Sequence, residues 1–479
     1  MAYLNRYNVI VVVIDTLRKD HVGCYGSQWV RTPYLDRFSK VSTMFENAYP
    51  ESLPTIPVRR SLWTGKRVFP IMDYSPRKGD EVLIPGWEPI PENHVTLPEI
   101  LSAKRYRTAF ITDTYHMFKP SMNFHRGFDE WVWIRGQEVD HYRSKSVTFD
   151  VGKYLTSRML FTEDERKRSL AEVIKEPRGK RAEAILSKYS ANTSERRREE
   201  EYFAPQVFRE SIRWLEENRD AERFFLLVDS FDPHEPWDPP HEFVDMYDPG
   251  YEGKHVITPE YGKTDYLDEK ELKHMCAHYA GEVTMVDKWF GRFVEKVDEL
   301  NLLKNTIFIV ISDHGHQLGD HGYTGKVPWG MWPELMDLVL FIRHPEGVAV
   351  GERVKGFVYN LDVFSTILDL LDTKISWEVD SRSLKEIIEK GDGGFRDFVT
   401  CRFGEYVSYM DGSYALICKT DKTEAQLYDL RRDPAEKRNL ALEDSVKVDE
   451  LFKKIVEDAR GELPSYELGV RAGAEWYVY

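Results

Sequence analysis

Short runs of β-branched and aromatic residues return along the first three-quarters of the chain with helical patterns between them, and this alternation limits the fold more than any other feature. The runs are NVIVVVI at 8–14, TAFIT at 108–112, FFLLVDSF at 224–231, TIFIVIS at 306–312 and LVLFIR at 338–343. Each reads as a core strand. Amphipathic patterns such as VFRESIRWLEENRD at 207–220 and EVTMVDKWFGRFVEKVDELN at 282–301 lie between them. Strand, helix, strand in that order predicts an α/β domain whose mainly parallel central sheet is flanked by helices.

A chain of 479 residues exceeds the size at which one core usually stops growing, so a large domain with a smaller partner is expected. From about 160 to 201 the sequence turns charged, with RKR, RGKR and ERRREEE clusters. The acidic residues interleaved with the arginines favour a solvated helical insertion over a basic docking site. After the apolar pattern LDVFSTILDLLD at 361–372, DGGF at 392–395 marks a break. VSYMDGSYALIC at 407–418 then reads as a hairpin hinged on Asp411-Gly412, and a helical pattern covers 445–460. The expected division is a large α/β domain over 1–390 and a small α+β domain over 391–479.

Sixty-six basic against eighty-one acidic side chains give a net charge of −15, which argues against a nucleic-acid partner. Cys24, Cys276, Cys401 and Cys418 are too scattered for a disulfide framework or a zinc knuckle. No apolar run approaches the roughly twenty residues that span a bilayer, and the run at 9–14 leads straight into Asp15 rather than a cleavage site. A soluble, cytoplasmic protein with no membrane span is expected.

Four segments place polar residues just after apolar strands, where open α/β sheets carry their ligand sites. Asp15 closes the first strand; alone, such a carboxylate is more often a turn former or cap than a metal ligand. SDHGHQLGDHGYTGK at 312–326 gathers Asp313, His314, His316, Asp320, His321 and Lys326. Carboxylate beside imidazole suits a divalent cation of intermediate softness. In PTIPVRRSLWTGK at 54–66, Pro57 fits the first turn of a helix, with Thr55 at its start and Arg59 one turn on. Such a helix head can hold a phosphate or sulfate, although for this segment alone the balance favours Thr55 as a plain N-cap and Arg59 as a surface residue. In DPHEPWDPP at 232–240, His234 on a proline-held loop can donate a proton, bind an anion or simply hydrogen-bond within its loop.

Taken in order, IDTLRKDHVGCYG at 14–26, TIPVRRSLWTG at 55–65, DPHEPW at 232–237, SDHGHQLGDHGYTGK at 312–326 and LYDLRRDPAEKRNLA at 427–441 resemble the sulfatase family of the alkaline-phosphatase-like superfamily. The resemblance implies that Asp15, Asp313 and His314, joined by Thr55 at the nucleophile position, bind one divalent metal, calcium, manganese or zinc. It places Arg59, His234 and Lys326 around the transferred group. Sulfatases usually carry at the position of Thr55 a Cys or Ser that is converted to formylglycine, and Thr cannot become that aldehyde. The chemistry must then use the hydroxyl itself, as in the threonine-dependent phosphodiesterases and phosphonate hydrolases of the same superfamily. Those relatives hold a second metal, for which Asp232, His234, Asp238, His241, His316 and His321 are candidates, while Lys326 argues for a single ion. Thr16 replaces a second metal-binding Asp, and in RTAFITDTYHMFK at 107–119 only His116 of a Lys-x-His pair is present, with Thr114 in the lysine's place.

The resulting expectation is a metal-dependent hydrolase of a small sulfate or phosphate/phosphonate-type ester, with Thr55 as nucleophile, Arg59 and Lys326 on the equatorial oxygens and His234 or His116 protonating the leaving group. A phosphoryl or phosphoethanolamine transferase and a catalytically degenerate binding protein are the alternatives. The aromatic tail AEWYVY at 474–479 offers a contact for a homo-oligomer.

Overall fold

The computed structural model describes residues 7–75, 82–118, 121–145, 154–156, 177–390 and 396–466. The first part of the charged stretch, the break at 392–395 and the tail at 474–479 lie outside these residues. Beyond 176 the charged stretch is a helix, Pro177–Thr193, followed by a single 3-10 turn, Glu199–Glu201.

Eight strands form the central sheet in the order Arg353–Val354, Thr43–Phe45, Leu340–Arg343, Thr306–Ser312, Asn8–Ile14, Phe224–Ser230, Arg107–Thr112 and Glu130–Trp133. The last five run parallel. Leu340–Arg343 is antiparallel to Thr306–Ser312, so the LVLFIR run is a core strand of the opposite direction. Alternation along Asn8–Ile14 divides the core: Ile10, Val12 and Ile14 pack toward the helices Phe203–Asn218 and Glu269–Glu299, whereas Val9, Val11 and Val13 pack toward Thr55–Thr64 and Asp362–Leu370. Each such buried side chain contributes about 1.5–3 kcal/mol, which is why the strand is apolar on both faces.

The long helix begins earlier than its apolar pattern suggests because Asp268 caps it, accepting the N–H groups of Lys270 and Glu271 while Glu271 reaches back. At the C-terminal end, Val399–Phe403, Tyr406–Met410, Tyr414–Lys419 and Gln426–Asp429 form an antiparallel meander. Its tight turn follows from Gly412 at φ +76°, as the Asp-Gly pair predicts. The helix Ser445–Asp458 covers it through Val448, Leu451 and Ile455. A fifth strand, Ser52–Leu53, joins parallel to Val399–Phe403. The residues immediately before Thr55 are therefore tied to the C-terminal sheet. Among the described residues no helix is long and apolar enough to cross a membrane, and all four cysteines are free.

Candidate active site

The parallel register sets Ile14 opposite Ser312 and Ser230, so the residues that follow these strands emerge at one edge. Asp15, Asp313 and His314 offer ligand atoms that all lie within 4.8 Å of one another, and all three are buried. Thr16, where the resemblance implies a further carboxylate, instead donates its hydroxyl to Asp15 Oδ1 (2.6 Å) and its N–H to Asp313 Oδ1 (2.9 Å). It does so at φ +58°, a costly conformation for a β-branched residue that only a heavily constrained site retains.

Thr55 is the first residue of its helix; Pro54 precedes it as the cap, with no side-chain cap bond. The plain N-cap reading of Thr55 is thereby set aside: Thr55 Oγ1 lies 3.3 Å from His314 Nε2. His314 Nδ1 donates to the carbonyl of Gly315 (2.9 Å), which leaves the lone pair of Nε2 facing the threonine. Burial pushes His314 down to about 4, so the ring is neutral near pH 7.

Arg59 is a fully buried ion-pair hub rather than a surface residue. Nε and Nη2 bind Asp229 at 2.8 and 2.9 Å, Nη1 binds Asp313 at 2.6 Å, and Nη2 stands 3.0 Å from Asp15. Nη1 also reaches the carbonyl of Thr55 at 3.3 Å. The guanidinium thus contacts three carboxylates. Three carboxylates against one guanidinium leave two excess negative charges if all are ionised, in a fully buried site. Burial, reinforced by the charge of Asp313, accordingly raises Asp15 well above the usual carboxylate range. Asp15 Oδ2 is buried with no hydrogen bond, only the ion-pair contact to Arg59. Excess negative charge, a buried carboxylate oxygen without a hydrogen bond and an imidazole lone pair fit a divalent cation with mixed oxygen and nitrogen ligands.

His234 stands beside this cluster on its proline loop. Its Nδ1 donates to the carbonyl of Glu235 (2.7 Å), and its Nε2 accepts from Lys326 Nζ (2.8 Å). Lys326 also pairs with Glu235 at 3.2 Å. Burial and the Lys326 charge hold His234 well below the ordinary histidine value, so its ring is neutral near pH 7. The His234 ring stacks on Phe231, whose other neighbour is His116, 5.9 Å from it between centroids. His116 Nε2 is bound to Glu138 at 3.1 Å. Thr114, in the position of the missing lysine, donates to Asp229 Oδ1 (2.8 Å).

The further metal candidates do not assemble. Asp232 is held by Gln137 and the Ala204 N–H, Asp238 by Tyr189 and Arg196, and His241 by Asp245. His321 stacks on Trp332, and His316 is 3.6 Å from Glu235. Two site carboxylates went unmarked in the sequence. Asp229 is hidden inside FFLLVDSF, where one acidic residue in an otherwise apolar strand was its only sign, and Glu138 lies in a loop without a motif.

The Sulfatase family model matches residues 7–373. The chain belongs to the sulfatase family. A second model, described as the C-terminal region of N-sulphoglucosamine sulphohydrolase, matches 319–461. An arylsulfatase of Clostridium perfringens is 28% identical over 492 residues, covering 96% of each chain. A multifunctional alkaline phosphatase superfamily protein of Trinickia caryophylli is 26% identical over 421 residues, covering 81% of this chain and 78% of its own. Among solved structures, the phosphonate monoester hydrolase of Agrobacterium radiobacter superposes with a TM-score of 0.71 at 18% identity, over 96% of both chains. A protein solved in complex with its substrate D-glucosamine-2-N,6-O-disulfate gives 0.70 at 18% identity, over 95% of this chain and 98% of the other. These establish the alkaline-phosphatase-like α/β fold with its C-terminal extension, and the chain is a sulfatase-family hydrolase acting on ester bonds.

Proposed function

We propose that this sulfatase-family hydrolase cleaves a small sulfate or phosphate/phosphonate ester with the Thr55 hydroxyl as nucleophile, beside one divalent metal held by Asp15, Asp313 and His314. The observation that carries the reading is the 3.3 Å approach of Thr55 Oγ1 to the lone-pair side of His314 within the buried Asp15–Asp313–His314 cluster. A bound divalent ion would supply Lewis-acid polarisation of the hydroxyl and of an ester oxygen. Arg59 positions Asp15, Asp313 and Asp229 and fixes the Thr55 carbonyl, so it acts through the carboxylates. Lys326 stabilises the transferred group and delivers a proton to the departing oxygen, with neutral His234 orienting its ammonium. His116, held by Glu138, lies beyond the Phe231 ring and shapes the leaving-group side.

Threonine has a secondary alcohol and cannot yield formylglycine, so release of the group must come from attack of water on a Thr55 ester. A phosphorylated threonine permits that step, whereas a sulfated one lacks the elimination route formylglycine provides; phosphate or phosphonate esters should turn over faster than matched sulfates. Rapid quenching during turnover of an aryl phosphonate or phosphate, followed by peptide mass analysis, should find Thr55 phosphorylated or phosphonylated. Steady turnover with Thr55 unmodified under conditions that make release rate-limiting would overturn the covalent route.

A further inference from the structure

A second cluster of metal-ligating side chains lies away from Thr55, where the strand His255–Thr258 meets the long helix Glu269–Glu299. His274 and His278 are one turn apart on a single helix face, and His255 comes from the strand. His255 Nδ1 is 2.9 Å from His274 Nε2 and 3.0 Å from His278 Nε2, and the two Nε2 atoms are 3.1 Å apart.

Hydrogen bonds at the far side of two rings fix their tautomers. His274 Nδ1 lies 3.0 Å from Asp248 Oδ2, and His278 Nδ1 lies 2.9 Å from the carbonyl of Trp237. Both acceptors lack a proton to give, so both Nδ1 atoms donate and both Nε2 atoms of the neutral rings present lone pairs to each other. One proton on His255 Nδ1 can serve only one of them. Three converging nitrogens around 3 Å apart, two of them necessarily lone pairs, are poorly satisfied by hydrogen bonding within the trio.

We propose that His255 Nδ1, His274 Nε2 and His278 Nε2 bind a zinc-class divalent transition-metal ion. Zinc–nitrogen bonds of about 2.0–2.1 Å in a tetrahedron put ligand atoms about 3.3 Å apart, close to the spacing found. Asp248 and the Trp237 carbonyl then play the part of outer partners that orient ligating imidazoles. The donor set is all nitrogen, which selects zinc, cobalt, nickel or copper over calcium or magnesium and sets it apart from the carboxylate-rich cluster at Asp15. Its anchors suggest its work. The loop carrying His234 ends at Trp237, whose N–H donates to the carbonyl of Ile257 (2.7 Å) and whose carbonyl accepts from His278. An ion here would join strand, helix and that loop, bracing the His234–Lys326 pair.

The test is metal analysis of the full chain, stripped with chelator, incubated with excess zinc and desalted. The parent should retain a zinc ion that Asp313→Ala keeps and that His255→Ala and His274→Ala each lose. Cobalt in its place should give the intense visible bands of a four-coordinate ion in Asp313→Ala, absent from the His274→Ala, Asp313→Ala double variant. Unchanged zinc content in both histidine variants would overturn the assignment. Should the variants fail to fold, anomalous scattering at the zinc edge from crystals of the parent decides: a peak among the three nitrogens is expected, and none with zinc in excess contradicts the site.

Discussion

The two clusters of potential ligands differ in every property that decides ion chemistry. At the sheet edge, Asp15, Asp313 and His314 sit with Arg59 and Asp229 in a fully buried, charge-dense site whose components come from strand ends and one helix head. At the long helix, three imidazoles, His255, His274 and His278, are backed by one carboxylate and one carbonyl. The first arrangement carries excess negative charge and faces a hydroxyl that can react. The second has no nucleophile among its ligands and ties three chain segments together. On the two assignments proposed above, one fold would separate an ion site suited to reaction from one suited to bracing.

The largest expected contrast is in turnover. Asp313→Ala should lower kcat/KM by about 10³-fold or more, since it removes a ligand from the reacting centre. His274→Ala, acting only through the loop, should cost about 10–100-fold. Equal losses in a steady-state assay would break the separation of roles.

Next comes the charge hub. Arg59→Ala leaves three buried carboxylates without their counter-charge and should destabilise by about 3–5 kcal/mol, with turnover falling by orders of magnitude. Arg60, which bonds to the Gly86 carbonyl and Glu88 instead, should cost about 1 kcal/mol when changed to Ala and leave turnover nearly intact. Denaturant titrations with and without manganese sharpen the point: added ion should recover stability in Arg59→Ala and do little for Arg60→Ala. Similar behaviour of the two would refute the hub.

A smaller effect comes from a buried carboxylate that has no ion pair. Asp287 accepts the N–H groups of Tyr34 (3.1 Å) and Leu35 (2.7 Å), and burial pushes it up to about 7. Its folded value exceeds the unfolded one, so its stabilising contribution is complete below about pH 4 and is lost as pH rises through 7. Between pH 5 and 8 the parent should lose about 2.6 kcal/mol that Asp287→Asn does not lose. A parallel pH dependence in parent and variant would show that the buried carboxylate is ionised throughout.

Much of this was legible in the sequence because parallel strands buried on both faces are unbroken apolar runs, and their ends are marked by the polar residues that follow. Asp15, Asp313 and His314 declared themselves in that way, as did Thr55 through the helix signal of Pro57. Direction was not legible: Leu340–Arg343 looks like its parallel neighbours because burial, not orientation, dictates its composition. Nor was Asp229, since a carboxylate neutralised by Arg59 can sit inside an apolar strand without disturbing its pattern. The histidine trio was invisible for another reason: His255 is far from His274 and His278 in sequence, and only the packing of strand on helix unites them. Ser52–Leu53 was too short to register as a strand, yet it pairs with Val399–Phe403 across the chain.

The central claim is that the Thr55 hydroxyl does the chemistry, and it is tested most directly by comparing the parent with Thr55→Val on aryl phosphates, phosphonates and sulfates with calcium, manganese and zinc. All proteins should come from cells lacking the formylglycine-generating enzyme, where Thr55→Ser should retain measurable activity because the oxygen remains. The account predicts turnover by the parent and none by Thr55→Val, with metal content and thermal midpoint unchanged. Undiminished turnover by Thr55→Val, or an inert parent on the whole panel, would contradict it.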